Sequence, residues 1–225
     1  MIITIDGPSG TGKSTVAKQV AERLGFIYFD TGAMYRAFTW FVLQRGIAIQ
    51  DLDAIQNCLE GFDFKIIEKD RQKHYFVGDA DVTEAIRSRE VTAFVSPVSA
   101  IREVRTFLLT CQYRFAQTQN AVFEGRDLGT VVFPDAEIKI FLSADPQVRA
   151  ERRLKEILTK NPNEELDPQQ MLQDIVRRDE YDSTREVAPL RCPPDAFQID
   201  TTNLSIDQVV DQVVKYALEH FPDKL

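Results

Sequence analysis

The chain predicts an α/β fold in which a parallel sheet is flanked by helices. Two observations predict it. A glycine-rich loop ending in Lys-Ser-Thr follows directly on the apolar run Ile2-Ile3-Thr4-Ile5. From there on, short apolar runs alternate with stretches of helical period, the pattern of β-α units joined by right-handed crossovers.

Residues 2–6 read as the first strand, and residues 14–24 as a helix stopped by Gly25. Residues 26–30 read as a second strand. Residues 31–46 carry Met34, Phe38, Phe41 and Val42 at helical spacing. Residues 101–117 are a further helix candidate. Ala121-Val122-Phe123-Glu124 and Ile138-Lys139-Ile140-Phe141-Leu142 read as buried parallel strands. Residues 146–159 and 168–182 read as arginine-rich helices, 197–200 as a last short strand and 205–220 as a closing helix. One region breaks the rhythm. Residues 62–67 and 74–77 are strand-like and flank the charged turn Glu68-Lys69-Asp70-Arg71, which predicts a hairpin rather than a βαβ unit. The expectation is one domain over residues 1–225 with a small insert at about 60–95, either a substrate cover or a surface hairpin. Residues 159–167, polar and containing Asn161-Pro162-Asn163, read as a mobile loop.

The loop at residues 7–15 is Gly-Pro-Ser-Gly-Thr-Gly-Lys-Ser-Thr, the full G-x-x-x-x-G-K-[ST] pattern between a strand and a helix. Its glycines let successive backbone N–H groups converge on one anion, and the helix that follows adds its positive end. Lys13 can reach the outer phosphates of a nucleotide, and the Ser14 hydroxyl can ligate Mg²⁺. The sheet is therefore expected to be of the P-loop NTPase type.

Composition narrows the field. The chain has 225 residues, 44% hydrophobic and 28% charged, as in a folded globular protein, and a net charge of −8. An acidic body argues against a general nucleic-acid binder, so an anion site has to be a local cluster of arginines. No run approaches the ~18 apolar residues of a membrane span, and the N-terminus has no basic leader. Cys58, Cys111 and Cys192 are odd in number and widely spaced, which points to reduced thiols in a cytoplasmic protein. His74 and His220 are isolated, so a zinc site is not expected.

A phosphate loop alone does not separate kinases from switches and motors. No Asn-Lys-x-Asp base-reading motif is present. Arg36, Arg105, Arg126, Arg149, Arg152, Arg153, Arg177, Arg178, Arg185 and Arg191 recur after predicted strands or on the late helices, several of them where open α/β sheets bind ligands. Guanidinium forks match phosphate oxygens. A kinase acting on a hydroxyl benefits from a carboxylate base, whereas one acting on a phosphate mainly has to overcome charge repulsion. An arginine-rich acceptor side fits the second case. Each arginine on its own could equally be a solvated surface residue.

Several segments carry a resemblance. They are ITIDGPSGTGKST at 3–15, FDTGAMYRA at 29–37, VGDADVTEAIRSREV at 77–91, EGRDLGTVVFPDAEIKIFL at 124–142, RRDEYDSTREVAPL at 177–190, and Asp200-Thr201-Thr202-Asn203-Leu204-Ser205. Together they cover nearly the whole chain, which resembles the bacterial cytidylate kinase family of nucleoside monophosphate kinases. The resemblance implies transfer of the γ-phosphoryl group of ATP, with Mg²⁺, to CMP or dCMP in pyrimidine nucleotide metabolism. It also implies a monomer in the cytoplasm, with no nucleic-acid or membrane partner.

The resemblance implies roles as well. Gly7, Pro8, Ser9, Gly10, Thr11, Gly12, Lys13, Ser14 and Thr15 would hold the ATP phosphates, with Lys13 catalytic and Ser14 near Mg²⁺. Thr31, Arg36 and Arg126 would serve the acceptor phosphate. Ser96, Arg105 and Asp127 would read the cytosine, because a carboxylate accepts from its amino group while an arginine donates to its ring acceptors. Arg178 and Asp182 would contact the ribose and Arg185 the phosphate region. Arg149, Arg152 and Arg153 match a lid at about 149–167, with Arg149 and Arg153 catalytic alongside Arg126 and Arg185, and Arg152 on ATP. The other reading of Asp127 is a carboxylate paired with Arg126 or capping a turn. Glu124 stands where aspartate is common in the family and could hold a water on Mg²⁺. The rival functions are a P-loop kinase for another small acceptor, such as shikimate or dephospho-coenzyme A, and a nucleotide-dependent switch without transfer activity.

Overall fold

The computed structural model describes residues 1–69, 72–117 and 119–222, leaving the side chains of Gln72 and Lys160 aside. Along the chain run β1 (Ile2–Asp6), α1 (Lys13–Leu24), β2 (Ile27–Asp30), α2 (Thr31–Gln44), α3 (Leu52–Cys58), β3 (Phe64–Lys69), β4 (Gln72–Val77) and β5 (Ala80–Asp81). They are followed by α4 (Arg89–Ala100), α5 (Arg102–Ala116), β6 (Ala121–Glu124), β7 (Ile138–Ser143), α6 (Pro146–Lys160), α7 (Pro168–Thr184), β8 (Phe197–Asp200) and α8 (Ile206–His220). The chain divides into two compact units, Met1–Phe29 with Thr118–Leu225, and Asp30–Gln117.

The first unit is built on a five-stranded sheet of order β2-β6-β1-β7-β8. β1 lies at its centre, parallel to β6 on one side and to β7 on the other, and β8 runs parallel to β7. Alternation along the strands sorts the faces. Ile3 and Ile5 of β1 join Val122, Ile138, Ile140 and Leu142 in a core closed by Val16, Ala17 and Val20 of α1 and Val209, Val210 and Val213 of α8. Thr4, Asp6 and Phe123 are buried too, but outside that cluster. This face carries a ring contact between Phe123 and Phe133 at 4.6 Å. The sheet ends of this unit receive well-signalled helices. Asp145 caps α6 and Asp167 caps α7, each followed by proline at the first position, and Ser205 with Gln208 forms a capping box on α8.

The second unit holds α2 to α5 and a three-stranded antiparallel sheet of order β3-β4-β5. Met34, Phe38, Phe41 and Val42 are all buried, as the spacing predicts. The predicted hairpin is present with longer arms: Glu68 and Lys69, expected in the turn, pair as strand residues with Lys73 and Gln72. Opposite charges face each other at Glu68 and Lys73, which favours pairing. Asp70 and Arg71, the centre of that expected turn, lie outside the described residues. The hairpin is anchored: Phe62 packs on Phe38 at 5.1 Å, and Phe64 stacks on Tyr75 at 6.1 Å. Helix α4 was not expected. Its signal is regular, with Ser88 capping and Val91, Val95 and Val98 buried, but Pro97 sits inside it. A proline interrupts the helical pattern that a sequence displays, although the helix here runs through it. Helix α6 runs on to Lys160, past the expected start of the loop at 159. No described helix is long and apolar enough to cross a membrane, and the three cysteines are free.

Candidate active site

In the first unit the chain leaves the central strand β1 at Asp6 and enters α1 at Lys13, so Gly7–Gly12 form the loop between them. Gly7 adopts φ 147° under the β7 backbone, where a Cβ would stand 2.1 Å from the Leu142 carbonyl oxygen. Gly10, at φ 80°, faces the Arg149 backbone, and a Cβ there would meet its carbonyl oxygen at 3.0 Å. A side chain is excluded at Gly7 and would be both strained and crowded at Gly10. Lys13 is buried, and its Nζ donates to the Pro8 carbonyl at 2.6 Å. Burial first, and the charge of Arg126 next, pull its ammonium down to about 7 from its ordinary value of 10.5, while Glu124 pulls the other way. An anion arriving at the loop would add to the counter-charge of Glu124 and Asp6 and raise the lysine again.

Beside Lys13, the Ser14 hydroxyl donates to Glu124 Oε2 at 2.8 Å, and the Tyr28 hydroxyl donates to Glu124 Oε1 at 2.6 Å. Glu124 is buried at the end of β6. Serine hydroxyl and carboxylate are hard oxygen donors of the kind Mg²⁺ takes together with substrate phosphates and water. No cluster of three or more His, Cys, Asp or Glu fit to hold a metal exists among the described residues. The donor set thus fits an ion completed by phosphates, not one caged by protein.

A second group gathers around Asp182 of α7, which is 2% exposed. Arg126 Nε donates to its Oδ2 at 2.7 Å, Arg178 Nε stands 3.9 Å from the same oxygen, and Arg185 Nη1 stands 3.9 Å from Oδ1. Burial pushes this carboxyl up, but Arg126, Arg178 and Arg185 together hold it below the usual carboxylate range. Arg185 also reaches Asp127 Oδ1 at 3.3 Å and the Ala188 carbonyl at 2.8 Å, and Arg126 Nη1 reaches the Gly7 carbonyl at 3.3 Å. Asp127 is thus paired with Arg185.

The three arginines of α6 part ways. Arg149 is buried; it donates to the Ser9 carbonyl at 3.0 Å and to the Ala144 carbonyl at 3.0 Å, and pairs with Asp179 of α7 at 2.6 Å. Arg152 donates to Thr201 Oγ1 at 3.0 Å and to the Thr201 carbonyl at 2.6 Å, and the Thr201 hydroxyl in turn donates to the Thr11 carbonyl at 3.2 Å. Arg153 bonds Glu156 on its own helix at 2.6 Å.

In the second unit, Asp30 caps α2 through the Ala33 N–H at 2.8 Å, which places Thr31 at the first helical position. Arg36 donates to the Ile86 carbonyl at 3.2 Å and to Thr92 Oγ1 at 2.9 Å. Arg105 is 3% exposed, donates to the Ser99 carbonyl at 3.1 Å and lies over the Tyr35 ring at 5.5 Å. Ser96 belongs to the same helix as Ser99, whose hydroxyl donates to its carbonyl at 2.9 Å.

The family model for cytidylate kinase matches residues 3–219. The chain belongs to the cytidylate kinase family. It is 55% identical over 220 residues to the cytidylate kinase of Protochlamydia amoebophila, with 96% of each chain covered. To the cytidylate kinase of Carboxydothermus hydrogenoformans it is 45% identical over 215 residues, again with 96% of each covered. Among solved structures, a protein of Eubacterium ventriosum superposes with a TM-score of 0.50 at 14% identity, covering 96% of this chain and 97% of that one. That likeness shows the fold alone.

Within this cytidylate kinase fold the structure brings together the phosphate loop, Lys13, Ser14, Arg126, Asp127, Arg149, Arg178, Asp182 and Arg185 in the first unit. Arg152 is joined to the loop only through Thr201, and Arg153 points to its own helix. Thr31, Arg36, Ser96 and Arg105 belong to the second unit. Sequence reasoning passed over Tyr28, Asp179 and Asp6. Asp6 was visible as a charge ending an apolar strand. The other two carry no local signal, since their partners are distant in sequence.

Proposed function

We propose that the chain transfers the γ-phosphoryl group of ATP to the phosphate of CMP, and of dCMP, giving CDP or dCDP. One observation supports this most strongly. A complete phosphate loop with a buried lysine adjoins Arg126, Arg178 and Arg185 gathered on Asp182, in a member of the cytidylate kinase family.

The chemistry follows from charge. The nucleophile is an acceptor phosphate oxygen, already anionic near neutral pH, so no base has to remove a proton. What opposes reaction is the repulsion between two nucleotide anions. The loop N–H groups and Lys13 hold the ATP phosphates, and Arg126 and Arg185 take charge on the acceptor side. Mg²⁺, held by Ser14 with Glu124 behind it, would neutralise charge on the ATP phosphates. Asp127 accepts from the cytosine amino group, and Arg178 and Asp182 take the ribose. Thr31 and Arg36 are further candidates for the acceptor phosphate, and Ser96 and Arg105 for the base. Residues 149–167 act as a lid that excludes water, with Arg149 already on the loop at the Ser9 carbonyl. We infer a cytoplasmic monomer whose partners are ATP and CMP or dCMP, without nucleic acid or membrane.

An assay linking nucleoside diphosphate formation to NADH oxidation tests the proposal, with ATP, Mg²⁺ and CMP, dCMP, UMP or AMP in parallel. CMP and dCMP are expected to turn over fastest. Absence of CDP formation would contradict it.

A further inference from the structure

Asp6 is a costly residue to keep. It ends the central strand with 1% of its surface exposed. Burial pushes its carboxyl up to about 7; the N–H groups of Gly129 and Leu128 and the charge of Lys13 pull it down, and Asp127 adds to the rise. None of the sequence-predicted roles uses it. Its geometry is specific. Oδ1 accepts the Leu128 N–H at 3.0 Å and Oδ2 accepts the Gly129 N–H at 2.8 Å, so both oxygens are engaged by consecutive amides. Those amides open the short π turn Leu128–Val132, whose first N–H groups have no partner within the turn. One residue on, the Gly7 carbonyl accepts from Arg126 Nη1 at 3.3 Å. Residues 6 and 7 therefore grip the chain on both sides of Asp127.

The turn is also closely packed. A Cβ on Gly129 would meet Pro193 Cγ at 3.0 Å, Thr4 Oγ1 at 3.1 Å and Lys139 Cδ at 3.3 Å. The strand that carries Asp6 is itself held on both edges by β6 and β7. Only a carboxylate offers an acceptor on each prong; asparagine offers one acceptor and one donor, and the donor would face an N–H. A stability argument alone would favour a neutral side chain here.

We propose that Asp6 is a positioning residue: by receiving the Leu128 and Gly129 N–H groups it locks the Arg126–Asp127 segment to the root of the phosphate loop and so fixes the reach of both side chains to CMP. This rests on the assignment of Arg126 and Asp127 to CMP made above.

The test is a double-mutant cycle of Asp6→Asn and Asp127→Ala, read as kcat and as KM for CMP and for ATP, with thermal melts on every variant. Asp6→Asn is expected to lower kcat/KM for CMP by about 10- to 100-fold, with KM for ATP changed less than about 3-fold. The double variant is expected to lose less than the product of the two single losses, because both act through one segment. A lower melting temperature with an unchanged KM for CMP would make Asp6 merely structural and overturn the proposal, as would losses that multiply. If Asp6→Asn does not fold, Gly129→Ala displaces the same turn with Asp6 intact. It is expected to show the same split, and an unchanged KM for CMP in that folded variant overturns the proposal. If Asp127→Ala leaves CMP use untouched, the assignment of Asp127 fails and takes this inference with it. If Asp127→Ala impairs CMP use and Asp6→Asn does not, only the role of Asp6 fails.

Discussion

Arg126 Nε lies 2.7 Å from Asp182 Oδ2, and the two residues are 56 positions apart in the chain. That contact joins the end of β6 to α7 and makes one carboxylate the hub of three guanidinium groups. The hub holds three like charges close together, as the acceptor role proposed above requires.

Asp182→Asn should therefore do two things. It should raise KM for CMP by at least about 10-fold, and lower stability at neutral pH by about 3 kcal/mol, because three arginines lose their shared counter-charge. The folded-state carboxyl sits below its ordinary value of 3.8. The stabilisation it gives is thus complete above that value and disappears as pH falls through the lower folded-state value. Denaturant titrations at pH 7 and pH 3 check this: the gap between natural chain and variant should narrow in acid.

Lys13→Met should lower kcat by about 10³-fold through loss of transition-state charge stabilisation. The fold should not suffer, because the variant buries a thioether where the natural chain buries a cation drawn down to about 7. Turnover and a melting curve on one preparation test both halves, and near-normal turnover would remove Lys13 from the catalytic set.

Arg152→Ala tests whether Arg152 serves ATP through the link by Thr201 to the Thr11 carbonyl. Loss of these bonds should loosen residues 201–202 and raise KM for ATP by about 10-fold, with KM for CMP unchanged. A rise confined to CMP would place Arg152 on the acceptor instead.

Glu124→Gln keeps the size of the side chain and removes its charge next to Ser14. The Mg²⁺ concentration giving half-maximal rate should rise about 10-fold, with a smaller rise for Tyr28→Phe. A magnesium titration at fixed ATP reads it directly.

Asp6 gives a pH signature with the opposite sign to Asp182. Its carboxyl is raised from 3.8 to about 7, so the folded state keeps a proton that the unfolded chain has released. Stability from this group is greatest below the unfolded value and declines as pH rises through about 7. Asp6→Asn does not titrate. The melting temperature of the variant relative to the natural chain should climb by at least about 3 °C between pH 4 and pH 8. A pH-independent difference would show that the carboxyl is not raised.

What could be read in the sequence was local. The phosphate loop is contiguous, and the capping residues Asp145, Asp167 and Ser205 sit next to the helices they start. Charge clusters made by the topology were not readable as geometry. Ser14 meets Glu124 across 110 positions and Asp6 meets Gly129 across 123. The arginine-rich helix α6 offered three charges, and packing sends one to the loop, one to Thr201 and one to the helix surface. Helix α4 was obscured by Pro97, whose missing N–H costs one bond in an otherwise well-capped and well-buried helix.

On the function proposed above, a concentrated positive site in an acidic chain joins ATP to CMP. The direct measurement is CDP formation by purified chain with ATP, Mg²⁺ and CMP, compared with UMP, AMP and shikimate at equal concentration. CMP turnover is expected well above all three, with its collapse in Lys13→Met. Turnover of shikimate or AMP above CMP, or ATP binding with no CDP formed, would contradict it.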